Sequence, residues 1–363
     1  MLNTAELIKN RIYFDPLANA RAKGTKLPVI QIPSEFWGGL QPMVKNITPN
    51  NDDPLPNADV LIITWTVAET QGLSAVFTSS RDYAISWHNY EHQSAALISQ
   101  IPAGVVKETA NKTLQEGIVG YYQVINLNGK TVVLFKSELH PADDGGKLPI
   151  IGLVQQIVNE VKPSLLITTG TAGANGSYLQ AGDAVITDAA CFYLINPKSY
   201  PAFPNLTNKL EYTNTVAFKQ DYITKCNTSA TDLVLPTLQS IAKAKNYAAF
   251  VRNPQIFYKN VPGATKYDAV SSDGFTMDDV AHTMGLQLLG IFNEMNDAYV
   301  AYALNNGLGS NIPSWLSIRN MSEPEAPDLS AATKNEWGEM YMSYSLYTTY
   351  NSAFACWSVI CGL

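Results

Sequence analysis

The sequence predicts an α/β fold. Three observations carry that prediction: β-type apolar runs recur along the chain, strand, helix and strand succeed one another over residues 131–170, and small residues cluster where the second of those strands ends. Strand followed by helix followed by strand is the order that builds a parallel α/β unit. With 363 residues, 46% hydrophobic and 15% charged, the chain has material for a sizeable core and lacks a disordered composition. A formal net charge of -7 argues against nucleic acid or an anionic membrane as the main partner.

Residues 1–57, rich in Pro, Asn and Gly and ending in TPNNDDPLPN, read as an N-terminal extension ahead of a single domain over 58–363. ADVLIITWTV (58–67) reads as a strand buried on both faces. TVVLFKS (131–137), behind the turn pair Asn128-Gly129, reads as a second strand able to pair with it. Pro149 opens a helix in which Ile150, Leu153, Val154, Ile157, Val158 and Val161 recur at helical spacing, and Lys162-Pro163 ends it. SLLITTG (164–170) follows as a strand. After GDAVITD, residues 189–267 read as an elaborated loop region holding one helix, TDLVLPTLQSIAKAK. LQLLGIF and SWLSIRN read as two further buried strands, separated by the helix DAYVAYALNNG with Gly307 as its C-terminal cap. A tyrosine-rich helix, WGEMYMSYSLYTTYNSAFACWSVI, closes the pattern and offers a face for an oligomer interface.

MLNTAELIKNRIYF has no apolar stretch behind basic residues, so no secretory signal is expected. AFACWSVICGL is too short to span a bilayer, which takes roughly 18 apolar residues. The expectation is a soluble, cytoplasmic protein. Cys191, Cys226, Cys356 and Cys361 lack zinc-ribbon spacing and are expected as buried thiols. His88, His92 and His282 form no metal pattern with carboxylates, so neither a metal nor a cofactor is expected.

The segment with most chemical content is KPSLLITTGTAGANGSYLQAGDAVITD (162–188), where a buried strand runs into TGTAGANG. A small-residue turn there lets backbone N–H groups approach a ligand, with Thr171 adding a side-chain donor, at the carboxyl end of a strand where α/β proteins bind ligands. A glycine turn of purely structural purpose is the other reading. Neither GxGxxG nor GxxxxGK[ST] occurs, which excludes the dinucleotide and P-loop readings.

This segment resembles the nucleoside phosphorylase/nucleosidase superfamily, the purine and uridine phosphorylases, and within it the methylthioadenosine/S-adenosylhomocysteine nucleosidase branch, which carries a KPD-strand-NTGSAGG-turn-LxxGDxVV segment. Further segments fall into register over residues 58–325. The resemblance implies three α/β/α layers around a central mixed, partly barrel-like sheet. It places Thr171, Ala172 and Gly173 against the substrate. TWTVAETQGL (64–73) resembles the family's GAMEEEV and puts Glu69 where a carboxylate activates water and stabilises an oxocarbenium-like transition state. An acid in the first turn of a helix, serving the dipole alone, is the other reading of Glu69.

SIRNMSEPEAP (317–327) resembles VRAISDVAD, aligning Arg319 with the family arginine and Ser322-Glu323 with Ser-Asp. Glu323 then supplies the acid that turns the base into a neutral leaving group, with one methylene more than the family residue. FNEMNDAYVAYA (292–303) resembles VEMEATAIAH: Glu294 and Met295 match, and Asn296 stands where the family carboxylate accepts the ribose hydroxyls. SSDGFTM (271–277) resembles SGDAFI and makes Phe275 the base-stacking aromatic. Glu138-Leu139-His140 replaces the family's Gly-x-Gly turn; a lone loop histidine there is incidental on the simplest reading.

Phosphorolysis needs a dianion site, normally with arginine before the glycine turn; here Thr168 stands there, as a neutral residue does in the nucleosidase branch. The sequence therefore favours hydrolysis of a purine nucleoside. A phosphate-dependent phosphorylase, and a nucleoside-binding module without turnover, remain the alternatives. Resemblance also implies a homo-oligomer.

Overall fold

The computed structural model describes residues 12–101, 103, 112–141, 149–194, 209–212, 216–245, 251–272, 284–309, 312–324 and 336–363. The strands are β1 (Met43–Val44), β2 (Val60–Thr64), β3 (His88–Tyr90), β4 (Gly120–Leu127), β5 (Lys130–Ser137), β6 (Leu165–Ala174), β7 (Ala184–Thr187), β8 (Ala189–Tyr193), β9 (Lys209–Glu211), β10 (Ile256–Tyr258), β11 (Ala269–Ser272), β12 (Phe292–Glu294) and β13 (Ser314–Glu323). The longer helices are α1 (Val67–Phe77), α2 (Ile150–Val161), α3 (Asp221–Lys245), α4 (Asp297–Asn305) and α5 (Glu336–Gly362).

β4 and β5 form a hairpin across Asn128-Gly129, whose φ values of 49° and 75° supply the two left-handed residues of a tight turn. β5 pairs parallel with β2, and β2 with the first half of β6. β13 runs parallel to β6 along its other edge, because Leu165 pairs with both Val60 and Ser314. All 13 strands of the described residues join one mixed sheet, with the main path β1-β4-β5-β2-β6-β12-β11-β8-β9. From β6, one path leads through β13 to β7 and another through β12 and β11 to β8. β7 and β8 are separated only by Asp188, so the two paths meet and this half of the sheet curls into a partly closed barrel.

Alternate strand residues feed two cores. Val60, Ile62, Leu165 and Ile167 join the core under α1, α3 and α5; Leu61, Ile63 and Leu166 join the one under α2 and α4. The result is three layers, helices on both faces of a mixed sheet. In α2 the buried residues are Ile150, Leu153, Val154, Ile157, Val158 and Val161, the stripe the spacing predicts.

Other expectations change. TGTAGANG is not a turn: β6 continues as strand through Ala174, because β13 pairs with it from Leu165 to Gly173. LQLLGIF is a 3₁₀ turn at Leu286–Leu288 followed by β12, with Leu288 and Leu289 exposed. The stretch 189–267 holds β8, β9, β10 and the 25-residue α3, with Pro236 inside the helix. Residues 12–57 pack on the domain: the Phe36 ring lies 4.9 Å from Phe354 and the Trp37 ring 5.6 Å from Trp357, while β1 pairs with β4. Tyr344, Tyr347, Tyr350, Phe354 and Trp357 of α5 are buried in the chain's own core, so the tyrosine face is covered from within. Among the described residues no helix is long and apolar enough to cross a membrane.

Candidate functional site

Sequence and geometry meet first at Glu69. Thr66 caps α1 and Glu69 occupies the third position, so Thr66 Oγ1 accepts from the Glu69 amide while Glu69 accepts from the Thr66 amide, a capping box. The same carboxylate reaches across the sheet. Its Oε1 accepts from Thr171 N at 2.8 Å and Thr171 Oγ1 at 2.7 Å. Its Oε2 accepts from Thr66 N at 2.9 Å, Thr64 Oγ1 at 3.2 Å and Trp65 N at 3.3 Å.

Topology explains why Thr171 has an N–H to offer. Along one edge of β6, β2 pairs no further than Thr168 and β12 begins only at Gly173. Between them no strand of the described residues pairs with that edge, and the Glu69 carboxylate fills the gap. Gly170 is required there: its φ is 151°, and a Cβ would lie 2.5 Å from Glu69 Cδ.

Glu323 lies at the end of β13, where a register shift after Met321 brings it opposite Gly173. Ser322 Oγ donates to Glu323 Oε2 at 3.2 Å, and both residues are buried. The Glu69 carboxylate therefore meets β6 at Thr171 from one edge, and residue Glu323 is paired opposite Gly173 along the other. That offset is two residues, about 7 Å of strand rise. Thr171 and Ala172 are buried and Gly173 partly so, all within strand β6.

Beside them sits a polar cluster that the resemblance touched only in part. Arg319 of β13, fully buried, donates from Nε to Asp297 Oδ2 at 3.0 Å and from Nη2 to Asp297 Oδ1 at 2.6 Å. Nη2 also lies 3.2 Å from Glu294 Oε2, and the guanidinium covers the Trp65 ring at 5.2 Å. Ser317 Oγ donates to Asp297 at 2.5 Å. Glu294 accepts from the hydroxyl of Ser271 and the amides of Asn296 and Asp297. Burial, then Asp297, push the Glu294 carboxyl up, against the pull of Arg319. Arg319 Nη1 and Asn296 Oδ1 are buried without hydrogen-bond partners. Met295 is half-buried next to them.

Phe275 lies outside the described residues. His140, read as an incidental loop histidine, is 4% exposed and within electrostatic reach of Arg319. Burial, then Arg319 and Lys136, push its imidazole down to about 3, so it is neutral at neutral pH. Asp297, Ser271 and Trp65 lie in the same segments as the candidate residues Glu294, Phe275 and Glu69 but have no motif of their own. The only sequence signal for Asp297 is an acid at a helix start, which the dipole explains without chemistry. Among the described residues no group of three or more His, Cys, Asp or Glu is arranged to hold a metal ion.

No family model matches the chain, and no curated protein sequence matches it. Among solved structures it is similar to native futalosine hydrolase of Helicobacter pylori strain 26695, at 12% identity and TM-score 0.46 over 83% of this chain and 97% of that one. It is similar to 5'-methylthioadenosine/S-adenosylhomocysteine nucleosidase from Neisseria meningitidis in complex with methylthio-immucillin-A, at 16% identity and TM-score 0.46 over 84% of this chain and 99% of that one. The corresponding nucleosidase of Campylobacter jejuni is 14% identical, with TM-score 0.46 over 85% of this chain and 100% of that one.

Proposed function

We propose that the chain hydrolyses the N-glycosidic bond of a nucleoside, with a purine base as the leaving group. One observation carries the reading: a buried carboxylate, Glu69, fills an interruption in the sheet at the carboxyl end of β2, where parallel strands present ligand sites. On this reading Glu69 orients and deprotonates the attacking water and stabilises positive charge on the sugar, as carboxylates do in glycoside hydrolysis. Glu323 protonates the departing base, since an anionic base leaves poorly at neutral pH. The Thr171 hydroxyl, a rotor able to donate elsewhere, occupies in the free site one lone-pair direction of Glu69 that a water takes in turn. Ala172 and Gly173 line the approach, and Met295, Asn296 and Phe275 hold the nucleoside, with Ser322 steadying Glu323 and Glu294 bracing the Asn296 backbone.

A second reading, a nucleoside-binding module without turnover, is favoured by a different observation. Five donors converge on a carboxylate with about four lone-pair sites, which leaves little capacity for a proton from water. Base release from a panel of nucleosides, followed with and without phosphate, separates the readings. Hydrolysis predicts phosphate-independent release that Glu69→Gln lowers by about 100-fold or more while binding persists. Saturable binding with no free base establishes the binding module, and strict phosphate dependence establishes a phosphorylase.

A further inference from the structure

The guanidinium of this site is already committed to carboxylates. Asp297 takes Nε and Nη2 of Arg319 in a bidentate pair, Glu294 shares Nη2, and Trp65 covers the face. The planar fork that would grip a phosphate is therefore occupied. Only Nη1 is left over, and it is buried. Charge points the same way: even with Glu294 protonated, Glu69 and Asp297 outnumber Arg319. Lys136 is paired with Glu138 at 2.5 Å and His140 is neutral, so neither offsets the balance.

A second observation concerns unmet hydrogen-bond valences. Buried in this cluster without partners are two donors, Arg319 Nη1 and Trp65 Nε1, and one acceptor, Asn296 Oδ1. An uncharged hydroxyl or a water satisfies both kinds, whereas hydrogen phosphate can meet them only by bringing further negative charge to a site where carboxylates already outnumber the guanidinium.

We propose that Asp297 is a specificity-determining residue: it closes Arg319 to oxyanions, so that this site accepts water and uncharged sugar hydroxyls and rejects inorganic phosphate. The water half of this statement rests on the proposed hydrolysis; the rejection of phosphate does not.

Calorimetric titration of the full chain with inorganic phosphate tests it. The wild type is expected to show no saturable binding up to about 50 mM, and Asp297→Asn to bind at least about ten-fold tighter than that limit, a gain of about 1.4 kcal/mol. Adding Arg319→Gln to Asp297→Asn should abolish the gain. Circular dichroism checks folding, and if Asp297→Asn does not fold, Asp297→Ser, which likewise removes the carboxylate that holds Nε and Nη2 of Arg319, must show the gain instead. Saturable phosphate binding by the wild type, absence of any gain in the folded variants, or a gain that survives loss of Arg319 each overturns the proposal. Base release in phosphate-free buffer is measured in parallel. Its absence defeats the hydrolytic reading and leaves the phosphate result standing.

Discussion

Gly170 has the least latitude of any residue near the site. Its φ of 151° and the 2.5 Å separation between a hypothetical Cβ and Glu69 Cδ mean that alanine must displace either β6 or the carboxylate. Backbone strain alone costs about 1–3 kcal/mol. Gly170→Ala is therefore expected to lower the melting temperature and to cut base release at least as far as Glu69→Gln does. An alanine variant with wild-type turnover would show that the position of Glu69 beside β6 is irrelevant to chemistry. The sequence disclosed the small-residue cluster and misassigned its conformation, for a physical reason: TGTAGANG looks like a turn locally, and pairing with strands distant in the chain, β13 and, at Gly173 and Ala174, β12, holds it extended. For Glu69 the two readings of the sequence turn out to be compatible, since one carboxylate both closes the capping box and receives Thr171.

At the scale of elements, α1 is the part that delivers Glu69, and its start is over-determined. Thr66 Oγ1 accepts the Glu69 amide at 3.3 Å and is also 3.1 Å from Tyr341 Oη of α5. Thr66→Ala removes the cap and leaves the Tyr341 contact broken, at a cost of about 1–2 kcal/mol. Urea unfolding should show that loss as a lowered midpoint with unchanged slope. Activity should fall further than stability suggests, because the same first turn aims Glu69; equal stability in the two proteins would remove the capping argument. Elements of this kind were legible where periodicity ran long enough, as in α2, whose whole buried stripe is visible in the spacing. β9 and β10 were not, being three residues each, too short for any alternation to register. Leu286–Leu289 misled in the opposite sense, as an apolar run in which Leu286 is buried but Leu288 and Leu289 are exposed.

For the whole molecule, a sheet with a core on each face takes polar side chains into the interior, and the titratable ones make stability depend on pH. Asn320 is buried as a neutral group, donating to Thr348 Oγ1 at 2.7 Å and accepting from Ser352 Oγ at 2.8 Å. His140, beyond the end of β5, is buried as an imidazole held neutral: burial first, then Arg319 and Lys136, lower it from 6.5 to about 3. The unfolded chain takes up a proton near pH 6.5 and the folded chain does not until about 3. The stability due to this group is thus complete above pH 6.5 and is lost as pH falls towards 3, with a slope of up to about 1.4 kcal/mol per pH unit. Asp183 works in the opposite sense, since burial raises its carboxyl to about 6 and its contribution declines as pH rises through that value. A difference measurement removes Asp183 from the comparison. Urea midpoints of the wild type and His140→Gln, taken from pH 7.5 down to 4.5, should converge as acid is added, because only the wild type must exclude a proton from that position. Parallel curves would mean that His140 is accommodated in both protonation states and that the cationic neighbours exert no force on it.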